Sequence, residues 1–287
     1  MEDMRKKTHR TVLECITAGT PLDHIPVLDL HTHMGSSSRH YYVPRSGKAQ
    51  IQAYFDRYGI DHALTFALSP TTDPEVKNNS IYTWTDQFPL RFSALTALHA
   101  AFPEDWRALL EQGAARGSRG IKLLSDYQGV DELKSDYSEA FDFAEGRGWI
   151  VLNHDWKTEE HLAEYAESYP GISFVIGHPS LPMKKSGNVL EKYGNVYQST
   201  CAAFVVPGFS CYSTEDLYNG FPLEKILFGS DAVDLDLGTA IGPVAYAQIP
   251  EKAKEQILGW NALGLAARIG WDLKHIEERY IRRGEER

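Results

Sequence analysis

Residues Val27–His33 read Val-Leu-Asp-Leu-His-Thr-His, a short apolar run ending in two histidines one residue apart. In an extended chain residues i and i+2 project to the same face, so both imidazoles can converge on one cation. Alone the pair decides little, because 11 histidines in 287 residues give roughly 0.4 such pairs by chance. Its position gives it weight. Further β-rich runs follow at Leu64–Leu68, Phe92–Leu98, Gly120–Leu124, Ile150–Asn153, Ile172–Ile176, Val196–Ser199 and Ile226–Phe228. With Val27–Leu30 they make eight, starting about 22 to 37 residues apart, the size of one strand-plus-helix unit.

Helical patterns fill the gaps: Ala49–Tyr58, Glu75–Gln87, Glu104–Arg116, Tyr137–Arg147, Thr158–Tyr169, Val189–Tyr193, Ser213–Asn219 and a last group from Thr239 to Arg268. Thr158 is placed to cap its helix, with Glu159 and Glu160 in the first turn. Ser213 to Asp216 has the spacing of a capping box. Tyr169-Pro170-Gly171 stops a helix, and Gly59, Gly117, Gly148 and Gly194 each stand shortly before a strand. The pattern predicts an α/β protein, a closed (β/α)8 TIM barrel in a single domain. Residues 1–24 form an N-terminal extension, 25–270 the barrel, and 271–287 a charged, solvated C-terminal helix or tail. A doubly wound sheet fits less well, since it wants a Gly-rich phosphate turn where this chain has His31-Thr32-His33.

A barrel carries its functional residues at the C-terminal ends of its strands. The fifth run ends Asn153-His154, the sixth Gly177-His178, and the eighth Gly229-Ser230-Asp231. All therefore share one rim with His31 and His33. Imidazole nitrogens plus a carboxylate suit zinc first, and also manganese, iron or cobalt. The constellation predicts a metal site.

At these residues the chain resembles the amidohydrolase superfamily, most closely its amidohydrolase-related (amidohydrolase 2) branch of metal-dependent TIM-barrel enzymes. The matching stretches are Asp29–His33, Gly120–Leu124, Val151–His154, Phe174–Pro179, Asn195–Thr200, Ile226–Asp231 and Ile257–Leu265. The chain departs from the pattern at Leu124-Ser125, Pro179-Ser180 and Gly264. The resemblance implies that His31, His33, His154 and Asp231 bind the metal, with Asp231 also acting as base. It implies that His178 either polarises the substrate or ligates a second ion. Lys122 matches a lysine that bridges two metals in binuclear members; a contact to a substrate carboxylate or a pairing with Asp126 stays open.

These residues lead to a metal-dependent hydrolase in which a metal-bound water attacks an amide, ester or lactone of a small molecule. A non-oxidative decarboxylase or hydratase on the same ligands is the alternative, and a catalytically silent binding barrel the third reading. The polar loop 34–48 carries Arg39, His40, Tyr41, Tyr42 and Arg45 and is either a solvated loop or a clamp on an anionic or aromatic substrate. Trp156 and Asp126 follow strands directly and are candidates for the same pocket. The remaining histidines are expected to be structural.

Composition narrows the partners. Lys+Arg 29 against Asp+Glu 39 gives a net charge of -10, which repels nucleic acid and anionic membrane surfaces. No apolar run reaches the roughly 18 residues of a membrane span, and Met1–Thr20 lacks the apolar core of a signal peptide. The three cysteines, Cys15, Cys201 and Cys211, have no disulfide or C-x-x-C spacing and are expected to be inert thiols in a reducing cytoplasm. Residues Met1–Asp23 either cap the barrel bottom or reach a second subunit, which leaves a homo-oligomer open.

Overall fold

The computed structural model describes residues 10–35, 47–67, 72–201 and 212–285, with side chains as far as Ile281. Arg39, Arg45 and the rest of the expected clamp between them lie outside the described residues, as does Cys211. The parallel strands are β1 (Leu28–Met34), β2 (His62–Ala67), β3 (Phe92–Ala94), β4 (Thr96–Ala97), β5 (Gly120–Leu123), β6 (Ile150–Asn153), β7 (Ser173–Ile176), β8 (Val196–Ser199) and β9 (Ile226–Leu227). Each pairs with the next in chain order, except that β3 and β4 are two halves of one strand. Leu95, between them, donates its N–H to Thr65 O at 2.9 Å, so the strand pairs with β2 below the break and with β5 above it. The ring closes where Leu30 N–H donates to Phe228 O and Asp231 N–H to His31 O, both at 2.9 Å. This is the (β/α)8 barrel.

The helices are α1 (Val12–Ala18), α2 (Lys48–Tyr58), α3 (Pro74–Gln87), α4 (Trp106–Ala115), α5 (Ser138–Glu145), α6 (Glu159–Ser168), α7 (Met183–Lys192), α8 (Thr214–Gly220), α9 (Leu237–Tyr246), α10 (Glu251–Glu255), α11 (Asn261–Arg268) and α12 (Lys274–Glu285). Thr158 and Ser213 cap α6 and α8, Ser213 with Asp216 as a full capping box. The last group divides because Pro250 starts α10 afresh and a π turn, Gln256–Trp260, joins α10 to α11. Helix α7 begins six residues before its predicted start, since Ser186 and Gly187 blur the apolar period although both are buried inside it.

Alternation along the strands builds two layers of core. Leu28, Leu30, Leu64, Phe66, Ile150, Leu152 and Val175 meet inside the barrel. Val27, Ala63, Phe92, Ile121, Val151 and Phe174 pack outward against the helices. The C-terminal segment was expected to be solvated, and its charged face is. Its apolar stripe is not: Trp271, Leu273, Ile276 and Tyr280 join the inner cluster, where Trp271 meets the His62 ring at the start of β2. This segment closes the bottom of the barrel. Helix α1 packs instead on α9 and α10, held by Thr11 and Glu14 in a second capping box.

One irregularity sets the rim. Leu28 and Asp29 pair with His62 and Ala63, but Thr32 and His33 pair with Thr65 and Phe66, so β1 carries an extra residue between Asp29 and Thr32. Such a bulge reverses the alternation. It lets Leu28 and Leu30 fill the inner core and then turns His31 and His33 to the same interior.

Candidate metal centre

The expected ligands do converge, each carried by a strand end. His31, His33, His154, His178 and Asp231 are all buried. The Asp231 carboxylate accepts from His33 Nε2–H at 2.8 Å and lies 3.3 Å from His31 Nε2. The His31 ring lies 4.8 Å from that of His178, which lies 4.4 Å from that of His154. Two glycines make the room. A Cβ on Gly177 would stand 3.2 Å from His31 Cε1, and one on Gly229 would stand 2.8 Å from His31 Cβ. His33, Leu124, Tyr127, His154, His178, Asp231 and Asp234 line a cavity of about 30 Å³.

Asp231 has φ 63°, a left-handed backbone that aspartate tolerates better than most residues. Its segment is pinned from below by Asp29, whose carboxylate accepts from Ser230 N–H at 3.0 Å, from the Ser230 hydroxyl and from His31 N–H at 3.2 Å. Burial pushes Asp29 up to about 7 against those hydrogen bonds.

Electrostatics fixes the protonation states. Burial would raise Asp231, but His33, His178 and His31 around it hold the carboxyl well below the usual carboxylate range. Burial, with Lys122 nearby, drives His31 well below the ordinary imidazole range. Burial and His178 do the same to His154. Burial lowers His178 to about 4 against the pull of Asp231. Since a carbonyl only accepts, the 3.3 Å contact of His178 Nδ1 with Cys201 O puts the ring proton on Nδ1. The lone pair is then on Nε2. That tautomer suits a ligand and does not suit a donor polarising a substrate carbonyl.

The donor chemistry fits a divalent cation. Both ring nitrogens of His31 are buried without a hydrogen-bond partner, and neutral imidazoles beside an ionised carboxylate are the form that binds metal. One donor atom each from His31, His178, Cys201 and Asp231 lies within 4.8 Å of the others.

Lys122 is fully buried, its Nζ has no hydrogen-bond partner, and it sits 4.5 Å from the centre of the Phe66 ring. Burial lowers it to about 7, opposed by Asp231. It does not pair with Asp126, which is bonded to Lys157 at the half-exposed surface. Trp156 does not line the cavity: it is buried in the outer core against His161, Tyr165 and Phe174, because the chain after His154 turns back over β7. Three neighbours of the site escaped the sequence reading. Cys201, an inert thiol by composition and spacing, follows a strand at the functional rim, and that position is the signal that marks it. Tyr127, 4.6 Å from the His154 ring, comes from a short 3-10 helix after β5 and Asp234 from a turn after β9, neither marked by a motif.

The family model described as "Amidohydrolase" matches residues 29–265. No curated protein matches the chain. Among solved structures, an uncharacterized TIM-barrel protein from Bordetella bronchiseptica is 16% identical with a TM-score of 0.69, covering 86% of this chain and 100% of its own. A 5-carboxyvanillate decarboxylase from Novosphingobium aromaticivorans, complexed with manganese and 4-hydroxy-3-methoxy-5-nitrobenzoic acid, is 13% identical with a TM-score of 0.65, covering 86% and 98%. A 2,6-dihydroxybenzoate decarboxylase from Rhizobium is 15% identical with a TM-score of 0.63, covering 84% and 98%. These likenesses carry the fold, and the family match spans almost the whole barrel: the chain belongs to the amidohydrolase family.

Proposed function

We propose that the chain is a metal-dependent hydrolase that opens an amide, ester or lactone bond in a small molecule. The observation that carries this reading is the buried Asp231 carboxylate, set at the cavity 2.8 Å from His33 Nε2 and 3.3 Å from His31 Nε2. His31, His33, His154 and Asp231 would hold a divalent cation, zinc by the choice of donors, which when bound would supply polarisation of a substrate oxygen and acidification of water. Asp231 takes the proton from the attacking water and returns it to the leaving group. Asp29 and Ser230 hold the Asp231 segment against β1.

A second reading, decarboxylation of a small aromatic acid, is favoured by the structural neighbours that are decarboxylases. Asp231 would then deliver the proton that replaces the lost carboxyl group. The test is a panel of lactones, esters, amides and hydroxybenzoic acids offered to the zinc- and manganese-loaded protein. Acid release without carbon dioxide supports hydrolysis. Carbon dioxide release from a hydroxybenzoic acid replaces it with the second reading, and loss of neither substrate class overturns both.

A further inference from the structure

Cys201 follows β8 at the functional rim and is fully buried. Its donor atom lies within 4.8 Å of those of His31, His178 and Asp231. In a tetrahedral zinc site, with nitrogen about 2.0–2.1 Å and sulfur about 2.3 Å from the ion, donors stand roughly 3.3–3.8 Å apart. The four donors therefore need to contract by only about an ångström. Two independent features aim at the same point. The His31 ring is wholly buried with neither nitrogen satisfied, and the Cys201 carbonyl takes the Nδ1 proton of His178, turning the Nε2 lone pair to the opposite edge of the ring. The absence of a side chain at Gly229 matters here too: a Cβ would stand 2.8 Å from His31 Cβ and 3.2 Å from Cys201 Cβ.

We propose that Cys201 is a metal ligand, forming with His31, His178 and Asp231 a thiolate-containing position that shares two residues with the His31, His33, His154 and Asp231 set. This rests on the reading that the site holds a divalent cation. On binding, a metal–sulfur bond forms, the S–H bond breaks, and the proton leaves to solvent. A soft ligand at this place selects zinc, cobalt or cadmium over manganese.

The test uses the full chain, stripped with a chelator and titrated with cobalt(II) alone. The wild type is expected to show visible d–d bands together with a near-ultraviolet thiolate-to-cobalt charge-transfer band, both saturating at the same equivalence. In Cys201→Ser the charge-transfer band disappears and the d–d bands remain. Zinc affinity falls by about tenfold or more, while manganese affinity is unchanged. A wild type with d–d bands and no charge-transfer band overturns the proposal and leaves the metal reading standing, as does a band that survives Cys201→Ser. No cobalt uptake at all overturns both. If Cys201→Ser does not fold, a Cys15→Ser/Cys211→Ser variant leaves Cys201 the single thiol of the three and reads the same band.

Discussion

The Asp29 carboxylate takes both the N–H and the hydroxyl of Ser230, which joins the first strand of the barrel to the segment that presents Asp231. The same carboxylate receives His31 N–H, so one buried acid sets the backbone of two candidate ligands. Asp29→Ala leaves these donors buried and unsatisfied, at a cost of about 1–3 kcal/mol. Metal affinity should fall by about 10–100-fold, as for other groups that orient ligands. Urea unfolding and a metal titration check the two effects separately.

Asp231→Asn keeps the shape of the side chain and removes its charge. The variant is expected to fold and to retain weakened metal binding, with turnover reduced by about 10²–10⁴-fold. Measured on whichever substrate the panel identifies, a near-normal rate would remove Asp231 from the role of base.

Lys122 is a buried cation without a hydrogen-bonding partner, lowered from 10.5 to about 7 by burial. A depressed lysine favours the fold only above its unfolded value, and that contribution is lost as pH falls through 7. Lys122→Met should therefore stabilise the metal-free protein by about 2–4 kcal/mol at and below pH 7, with the advantage fading towards pH 10.5. Guanidinium unfolding across that range checks the sign. Loss of turnover in the same stabilised variant would mark the lysine as retained for function.

His62 lies far from the rim, bonded to Leu90 O at 3.1 Å and Ser93 Oγ at 3.0 Å. Burial lowers it from 6.5 to about 4, so the unfolded chain binds its proton first and stability falls as pH drops through that window. The loss attributable to this residue is about 3 kcal/mol at most. Comparing wild type with His62→Gln at pH 7 and pH 4 isolates it, because the rim histidines titrate equally in both.

The barrel and its rim were legible because both depend on local pattern. Strands β6 and β8 coincide with the β-rich runs Ile150–Asn153 and Val196–Ser199, and His154, His178 and Asp231 follow β6, β7 and β9 by one, two and four residues. What stayed hidden depends on contacts between distant segments. The β1 bulge cannot be read from Leu30-His31, since only the register against β2 reveals it. Trp156 looked like a pocket residue because it is two residues past His154, yet the turn after β6 sends it into the core. Cys201 is a single residue without spacing, and only the pairing of β8 with β9 and the closure of the β9 segment on β1 bring it beside His31.

The central claim is that this rim binds a divalent cation, and metal analysis of the protein as purified tests it most directly. The account predicts stoichiometric zinc, manganese or a related divalent ion that survives desalting, and its loss in His31→Asn without unfolding. Protein that carries no such ion and takes up neither zinc nor manganese when offered would contradict it.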